Sequence, residues 1–280
     1  MIRKSKSQKL SIAVLFFTPF LFSCSDSDPA VTERVVSVVV THLNDSGTVV
    51  LQNNGGDNLS VKKNGTFSFD KAIAVDEDYE VTVKTQPTNQ TCQITDGSGT
   101  IGDSDPEISV VCGKVIFITD ATTDGSIGAG GVEAADSFCN SDDNKPDDSK
   151  TYKAILTDEV NRRACTSAFC SSRSGNRDWV LSPNTTYVRS TNTIIGTTNG
   201  GGIFDLDTDT LLNSYASGPQ VFYWTGVVPD WTVFDSCLSW SDNTNGNNGS
   251  FGSSDAVNAD AIATFFAPCD SDFHLACAEQ

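Results

Sequence analysis

Cysteine placement constrains this chain more than any other feature of its sequence. Nine cysteines stand at positions 24, 92, 112, 139, 165, 170, 237, 269 and 277. The stretch from Asp235-Ser-Cys-Leu-Ser-Trp240 to Ala267-Pro-Cys-Asp-Ser-Asp-Phe-His-Leu-Ala-Cys-Ala-Glu-Gln280 organises the rest. Phe273, Leu275 and Cys277 recur at every second position, the pattern of a closing strand with one buried face. A half-cystine on such a strand needs a partner far back in the chain, and Cys139, in a predicted helix, is available. Cys237 then takes Cys269, nesting a short bridge inside a long one. A bridge closing well over a hundred residues contributes about 4 to 5 kcal/mol in the chain-entropy model, comparable with the stability of a whole domain.

The first residues bear on compartment. Arg3, Lys4, Lys6 and Lys9 form a basic segment, followed by a nearly uncharged apolar run of thirteen residues, Leu10 to Phe22, too short to span a bilayer as a mature helix. It ends in Leu21-Phe22-Ser23-Cys24 and turns polar at once with Ser25-Asp26-Ser27-Asp28-Pro29. Leu at −3 and a small residue at −1 before a cysteine resembles a bacterial lipobox, in which cleavage leaves Cys24 first and lipidated. Phe22 departs from the strict pattern and fits its looser spirochaetal form. The resemblance implies a signal peptide over 1–23, a lipidated tether over 24–33, and a protein anchored by lipid in the cell envelope, at the outer membrane and surface-exposed. Without Cys24 the cysteines number eight, an even set suited to an oxidising compartment. Loss of residues 1–23 removes four of the 18 Lys and Arg and none of the 36 acids, which takes the net charge from −18 to −22. That balance argues against nucleic acid, polyanions and anionic lipid as partners. It suits a self-repelling soluble surface, or one that takes up divalent cations.

Residues 34–113 are all strand and turn. Val35-Val-Ser-Val-Val-Val-Thr41 and Thr48-Val-Val-Leu-Gln52 precede a turn at Asn53-Asn-Gly-Gly56. Val61-Lys-Lys leads to Asn64-Gly65, which signals a hairpin, and then to Thr66-Phe-Ser-Phe69. Tyr79-Glu-Val-Thr-Val-Lys-Thr85 alternates apolar and polar, and Thr91-Cys-Gln-Ile and Ile108-Ser-Val-Val-Cys112 complete about seven short strands. This predicts an all-β sandwich, with Cys92 and Cys112 stapling its last two strands. The stretch resembles the Ig-like stalk repeats of bacterial surface lipoproteins.

A second module is predicted over 114–280, beginning where the composition changes at Gly113-Lys114. Val115-Ile-Phe-Ile-Thr119 reads as a strand, and a glycine-rich loop leads into Val132-Glu-Ala-Ala-Asp-Ser-Phe-Cys139, an amphipathic helix. Cys165 and Cys170, five apart, suit a local loop-closing bridge. The remainder is rich in loops. Ala134-Ala-Asp-Ser-Phe-Cys139, Thr151-Tyr-Lys-Ala-Ile-Leu-Thr157, Val221-Phe-Tyr-Trp-Thr-Gly226, Asp235-Ser-Cys-Leu-Ser-Trp240 and Cys269-x7-Cys277-Ala-Glu together resemble the C-type lectin-like fold. They are closest to its endostatin-like branch and to a domain family of spirochaetal lipoproteins whose function is undetermined. The resemblance implies an α+β domain with several disulfides, in which the first and last cysteines pair and the middle two pair. Carried over, these are Cys139–Cys277 and Cys237–Cys269.

Candidate sites are few. Calcium-dependent lectins use a Glu-Pro-Asn or Gln-Pro-Asp tripeptide with Trp-Asn-Asp; this chain has neither, and Trp240-Ser-Asp-Asn243 is only superficially similar. Asp205, Asp207 and Asp209 alternate in a spacing that can wrap calcium, yet an EF-hand loop starting there would meet Thr210 where glycine is needed and Ala216 where glutamate is needed. On a strand the same three acids would simply share a solvated face. His42 and His274, the only histidines, are too isolated for a zinc site or a catalytic triad, and cysteine pairing leaves no free thiol. No catalytic residue and no firm cofactor are therefore assigned. Tyr223, Trp224, Trp231, Phe234 and Trp240 read chiefly as core, with Trp231 beside Pro229-Asp230 the one candidate anchor for a partner. The reading is a lipid-anchored, non-catalytic module that binds a host or matrix protein. A purely structural envelope component and a calcium-dependent sugar binder are the alternatives, and the oligomeric state is open. Non-reducing peptide mapping is expected to recover Cys277 joined to Cys139; Cys277 free or joined elsewhere would undo the lectin-type assignment.

Overall fold

The computed structural model describes residues 32–44, 46–158 and 160–280. Cys24, the signal segment and most of the expected tether lie outside the described residues. In the first half the strands are β1 (Glu33–Thr41), β2 (Val49–Asn53), β3 (Asp57–Val61), β4 (Gly65–Ala74), β5 (Asp78–Thr85), β6 (Thr91–Thr95), β7 (Ser98–Thr100) and β8 (Glu107–Ile118). The second half contains helix α1 (Val132–Ser141) and strands β9 (Tyr152–Ala154), β10 (Thr186–Arg189) and β11 (Ile194–Thr197). It continues with β12 (Phe222–Trp224), β13 (Asn248–Ser253), β14 (Phe265–Pro268) and β15 (His274–Glu279).

The first module follows its valine alternation. Val36, Val38 and Val40 of β1 are buried while their neighbours are not, as a period of two requires of a strand covered on one face. β4, β1, β8 and β6 lie side by side in that order, and β3, β2, β5 and β7 form a second sheet. Both sheets feed one core that includes Val38, Leu51, Val61, Phe69, Val81 and Ile108. The arrangement is compatible with the expected β-sandwich. Cys92 and Cys112 face each other across β6 and β8 and are joined.

Asn64-Gly65 does not form the expected hairpin. β3 pairs with β2 whereas β4 pairs with β1, so the chain crosses between sheets there. The Asn64 side chain holds the crossing by accepting from Leu43 N (2.8 Å) and donating to Leu43 O (3.2 Å). The tight turn between paired strands is at Asn53–Asp57, where Asn54 and Gly55 take left-handed φ of 46° and 66°.

No break in secondary structure marks the expected boundary at 113/114. β8 runs unbroken through it, pairing with β1 and β6 before Lys114 and with β10 and β15 from Lys114 onward. A Cβ on Gly113 would sit 2.9 Å from Thr186 O, so glycine is needed for close strand approach and not for a flexible link. Glu33–Gln280 forms one compact unit. Glu279 helps to hold it: its buried carboxylate accepts from Thr91 Oγ1 (2.9 and 3.0 Å) and Val115 N (3.0 Å), and pairs with Lys150 Nζ (3.0 Å).

β15 is the centre of the second module. One of its edges pairs with β8, and the other with β9 and β12. Its side chains serve two cores by alternation. Leu275 and Cys277 join Phe117, Val132, Ala135, Tyr152, Trp224 and Trp240 on the α1 side. Ala276 and Ala278 join Ile116, Trp179, Tyr187, Phe204, Tyr223 and Trp231 on the other. α1 buries Val132, Ala135 and Cys139, and Cys139 is bonded to Cys277. Cys237–Cys269 and Cys165–Cys170 complete four bridges, the pairs that the sequence suggested. Replacing Cys139 and Cys277 together by Ala is expected to lower stability by about 5 kcal/mol. Urea denaturation measures this, and a midpoint unchanged from wild type would show that packing alone holds β15 to the helix.

Candidate functional site

The structure distributes the residues singled out from sequence and does not gather them. Asp205, Asp207 and Asp209 lie on an exposed turn, with Leu206 folded inward between them and Asp209 Oδ1 accepting from Thr210 N. Among the described residues no three His, Cys, Asp or Glu side chains are grouped so as to hold a metal ion. Other loop acids cap backbone turns: Asp142 accepts from Asp120 N, Ala121 N and Asn144 N, and Asp147 from Ser149 N and Oγ. His274 is half-buried, with Nδ1 2.7 Å from Thr119 O.

Trp231 is fully buried, which removes it as a surface anchor. Its loop folds back so that the indole packs edge-on to Trp179 (5.8 Å) and Nε1 donates to Phe204 O (3.0 Å). The indole of a small, loop-rich domain is more valuable as core than as contact, because it buries a large apolar area and finds an acceptor for its N–H.

A buried charge cluster had no recognisable signal in the sequence. Arg162 is completely covered and makes a two-pronged bond to Asp136 of α1 (2.8 and 2.6 Å). It also donates to Asp178 (2.7 Å) and to Ala154 O (3.1 Å), and Lys153 bonds the other Asp178 oxygen at 2.6 Å. Burial pushes the Asp178 carboxyl up, but the hydrogen bonds from Lys153 and Arg162 outweigh it and hold it below the usual carboxylate range. The cluster pins the irregular 158–178 segment to the helix.

The surface itself is most distinctive near Cys237. Cys237, Leu238, Ser239 and Trp240 have φ of 47°, 54°, 58° and 62°, a left-handed turn of four residues that all carry a Cβ. Each such residue costs roughly 1–2 kcal/mol. Anchors at both ends impose it: Cys237 is bonded to Cys269, and buried Trp240 donates Nε1 to Thr157 O (2.9 Å). Gly131 makes room, since a Cβ there would meet Ser239 O at 2.6 Å. The turn thrusts Leu238 into solvent, 64% exposed. Phe234 is exposed just before it.

Across β13 lies β14, which pairs with β13 alone and so leaves one edge bare among the described residues. It carries Phe265, also 64% exposed, and exposed Phe266, their rings stacked at 4.4 Å. Ser250 of β13 lies opposite Phe266 and donates its N–H to Asp235 O on the other side, which sets the two apolar segments on either flank of one strand. Residues 190–280 contain eleven acids and no Lys or Arg. The apolar groups therefore stand in a strongly negative field.

Residues 120–257 match the model of a family described as Protein of unknown function (DUF1554). The match covers α1, the Arg162 cluster and the left-handed turn, and stops before β14 and β15. No curated protein matches the chain.

Removing one carboxylate from the buried cluster by Asp136→Ala is expected to cost about 3 to 5 kcal/mol, because the Arg162 guanidinium stays buried with a partner missing. The depressed Asp178 pKa adds a pH dependence. Its stabilisation is present above the unfolded carboxylate value of roughly 4 and is lost as pH falls through the lower folded value. Urea midpoints measured from pH 7 down to pH 2 read both effects, and a wild-type midpoint for the variant would show that the cluster is not stabilised in this way.

Proposed function

We propose that this is a lipid-anchored envelope protein, tethered through Cys24 at the outer membrane and exposed at the cell surface, whose C-terminal module binds a protein partner without catalysis. In this reading residues 34–113 are an Ig-like sandwich and residues 114–280 a C-type lectin-like, endostatin-like module fused to it through β8. Two packed sheets with one core support the first assignment. The tie from helix to closing strand and the nested Cys237–Cys269 bridge support the second.

One observation carries the binding role: exposed Phe265 and Phe266 lie on a strand with a bare edge, and exposed Phe234 and Leu238, the latter on a turn that is costly to hold, lie across β13 from it. Large apolar side chains are rarely left out in this way unless they meet something. The occupant that fits is an extended segment of a host or matrix protein, pairing with β14 through its backbone and packing apolar side chains against the stacked phenylalanines. Basic residues should flank that segment, since the surrounding ninety residues carry acids and no Lys or Arg. Pro268 lacks an N–H and limits the added strand to the Phe265–Ala267 part of the edge.

The test is a binding screen of the full chain against matrix and plasma proteins, repeated with Phe265→Ser and Phe266→Ser together. Affinity for any captured partner is expected to fall about tenfold or more and to weaken with added salt. A partner bound equally well by the variant would place recognition elsewhere. On intact cells, complete protection of the protein from added protease would argue for an internal structural role instead.

A further inference from the structure

A cleft of about 380 Å³ lies beside His274, and a second of about 470 Å³ lies at the junction of the two modules. The second has the more unusual chemistry. Its floor is Lys114, the β8 residue at which the strand passes from one module to the other. Asn44 and Asn89 of the first module and Ser182, Asn184 and Thr185 of the second supply walls of amides and hydroxyls.

Lys114 is 7% exposed, yet its ammonium has one hydrogen bond among the described residues, to Ser182 Oγ at 3.1 Å. An ammonium carries three donors, and a buried one is normally met by a carboxylate. The nearby carboxylate, Glu279, is already engaged by Lys150, Thr91 and Val115 N and makes no ion pair with Lys114. In a chain with 36 acids and 18 bases, a covered cation that makes no ion pair among the described residues is the exception that calls for an anion. Burial pushes the Lys114 pKa down, the charge of Glu279 offsets this only in part, and a bound carboxylate would offset more of it.

The walls are set before any ligand arrives. Buried Gln90 accepts from Asn44 N (2.9 Å) and donates to His42 O (2.8 Å), which fixes one lip. On the other lip Ser182 N donates to Tyr187 Oη (2.7 Å) and Thr198 Oγ1 to Ser182 O (2.6 Å). The volume lies within the range of small-molecule sites, and apart from Leu43 the lining residues are polar, unlike an apolar cofactor pocket.

We infer that the junction cleft binds a small polyhydroxylated carboxylate, a sugar acid, with the carboxylate on Lys114 Nζ and Ser182 Oγ and the hydroxyls on the amides of Asn44, Asn89 and Asn184. This site is independent of the β14 edge and of calcium. A free sugar acid and the acidic end of a glycan share the chemistry, so glucuronate and methyl β-glucuronide are the two probes, with glucose as the neutral control.

Calorimetric titration of the purified full chain in the presence of EDTA is expected to show saturable binding of glucuronate and none of glucose. Binding of methyl β-glucuronide as well would identify the end of a glycan as an acceptable source, and binding of glucuronate alone a free acid. Lys114→Met and Asn184→Asp are each expected to weaken glucuronate by about tenfold or more, the first by removing the cation and the second by setting a carboxylate against the ligand. Asn184 is an exposed turn residue at φ 49°, where Asp is tolerated, so that variant decides the matter if Lys114→Met does not fold. Failure of both probes to bind, equal binding of glucose, or full glucuronate affinity in a folded variant would overturn the assignment. Retention of β14-dependent protein binding in Lys114→Met or Asn184→Asp would separate this site from the partner face.

Discussion

β15 lies between β8 on one side and β9 and β12 on the other, so both of its backbone edges are met inside the sheet. Elsewhere in the second module regular structure is sparse, and most of the chain between Ser141 and Phe222 is loop. The strand compensates by working in several directions at once. Its odd-numbered residues Leu275 and Cys277 pack under α1, its even-numbered Ala276 and Ala278 complete the opposite core, and Glu279 reaches across to Thr91 of the first module. The small alanines matter here, because Ile116, Trp179 and Tyr223 fill the space beside them. The bridge from Cys277 to Cys139 then converts this local packing into a restraint on the whole loop-rich segment.

That restraint explains how the molecule tolerates conformations it would otherwise avoid. Four successive left-handed residues would not persist in a free loop. Between Cys237, fixed to Cys269, and Trp240, sunk against Trp224 and hydrogen-bonded to Thr157, the chain has no shorter path. The same rigidity leaves Leu238 and the Phe265–Phe266 pair unable to fold back onto the body. Arg162 plays a related part on the other flank, where two carboxylates and a carbonyl hold a guanidinium that water cannot reach.

Much of the scaffold was legible in the sequence, and the failures have identifiable causes. β1, β5 and β15 announce themselves because one face is apolar and the other is not, and the helix over Val132–Cys139 does the same with its own period. β7, Ser98-Gly-Thr100, has no apolar side chain to signal burial, so nothing in its sequence marks a strand. Asn64-Gly65 marks a change of direction correctly, but a dipeptide does not record which strands pair on either side of it. Gly113 looked like a boundary because glycine ends patterns, whereas its purpose is the approach of Thr186 O. Arg162 and Arg163 are indistinguishable as letters; only the fold brings Asp136 and Asp178 to the first of them. Trp231 and the phenylalanines of β14 show the same limit from the other side, since an aromatic residue reads alike whether it faces inward or outward.

The position of β15 has a consequence for how the protein is made. Phe117 of β8 finds its partner Cys277 only when nearly all of the intervening chain has been synthesised. Until then β8 can complete its pairing with β1 and β6, but its second half waits with an open edge and an unpaired Cys139 close by. The interval before β15 arrives is the time at which chaperones and thiol-exchange catalysts have most to do.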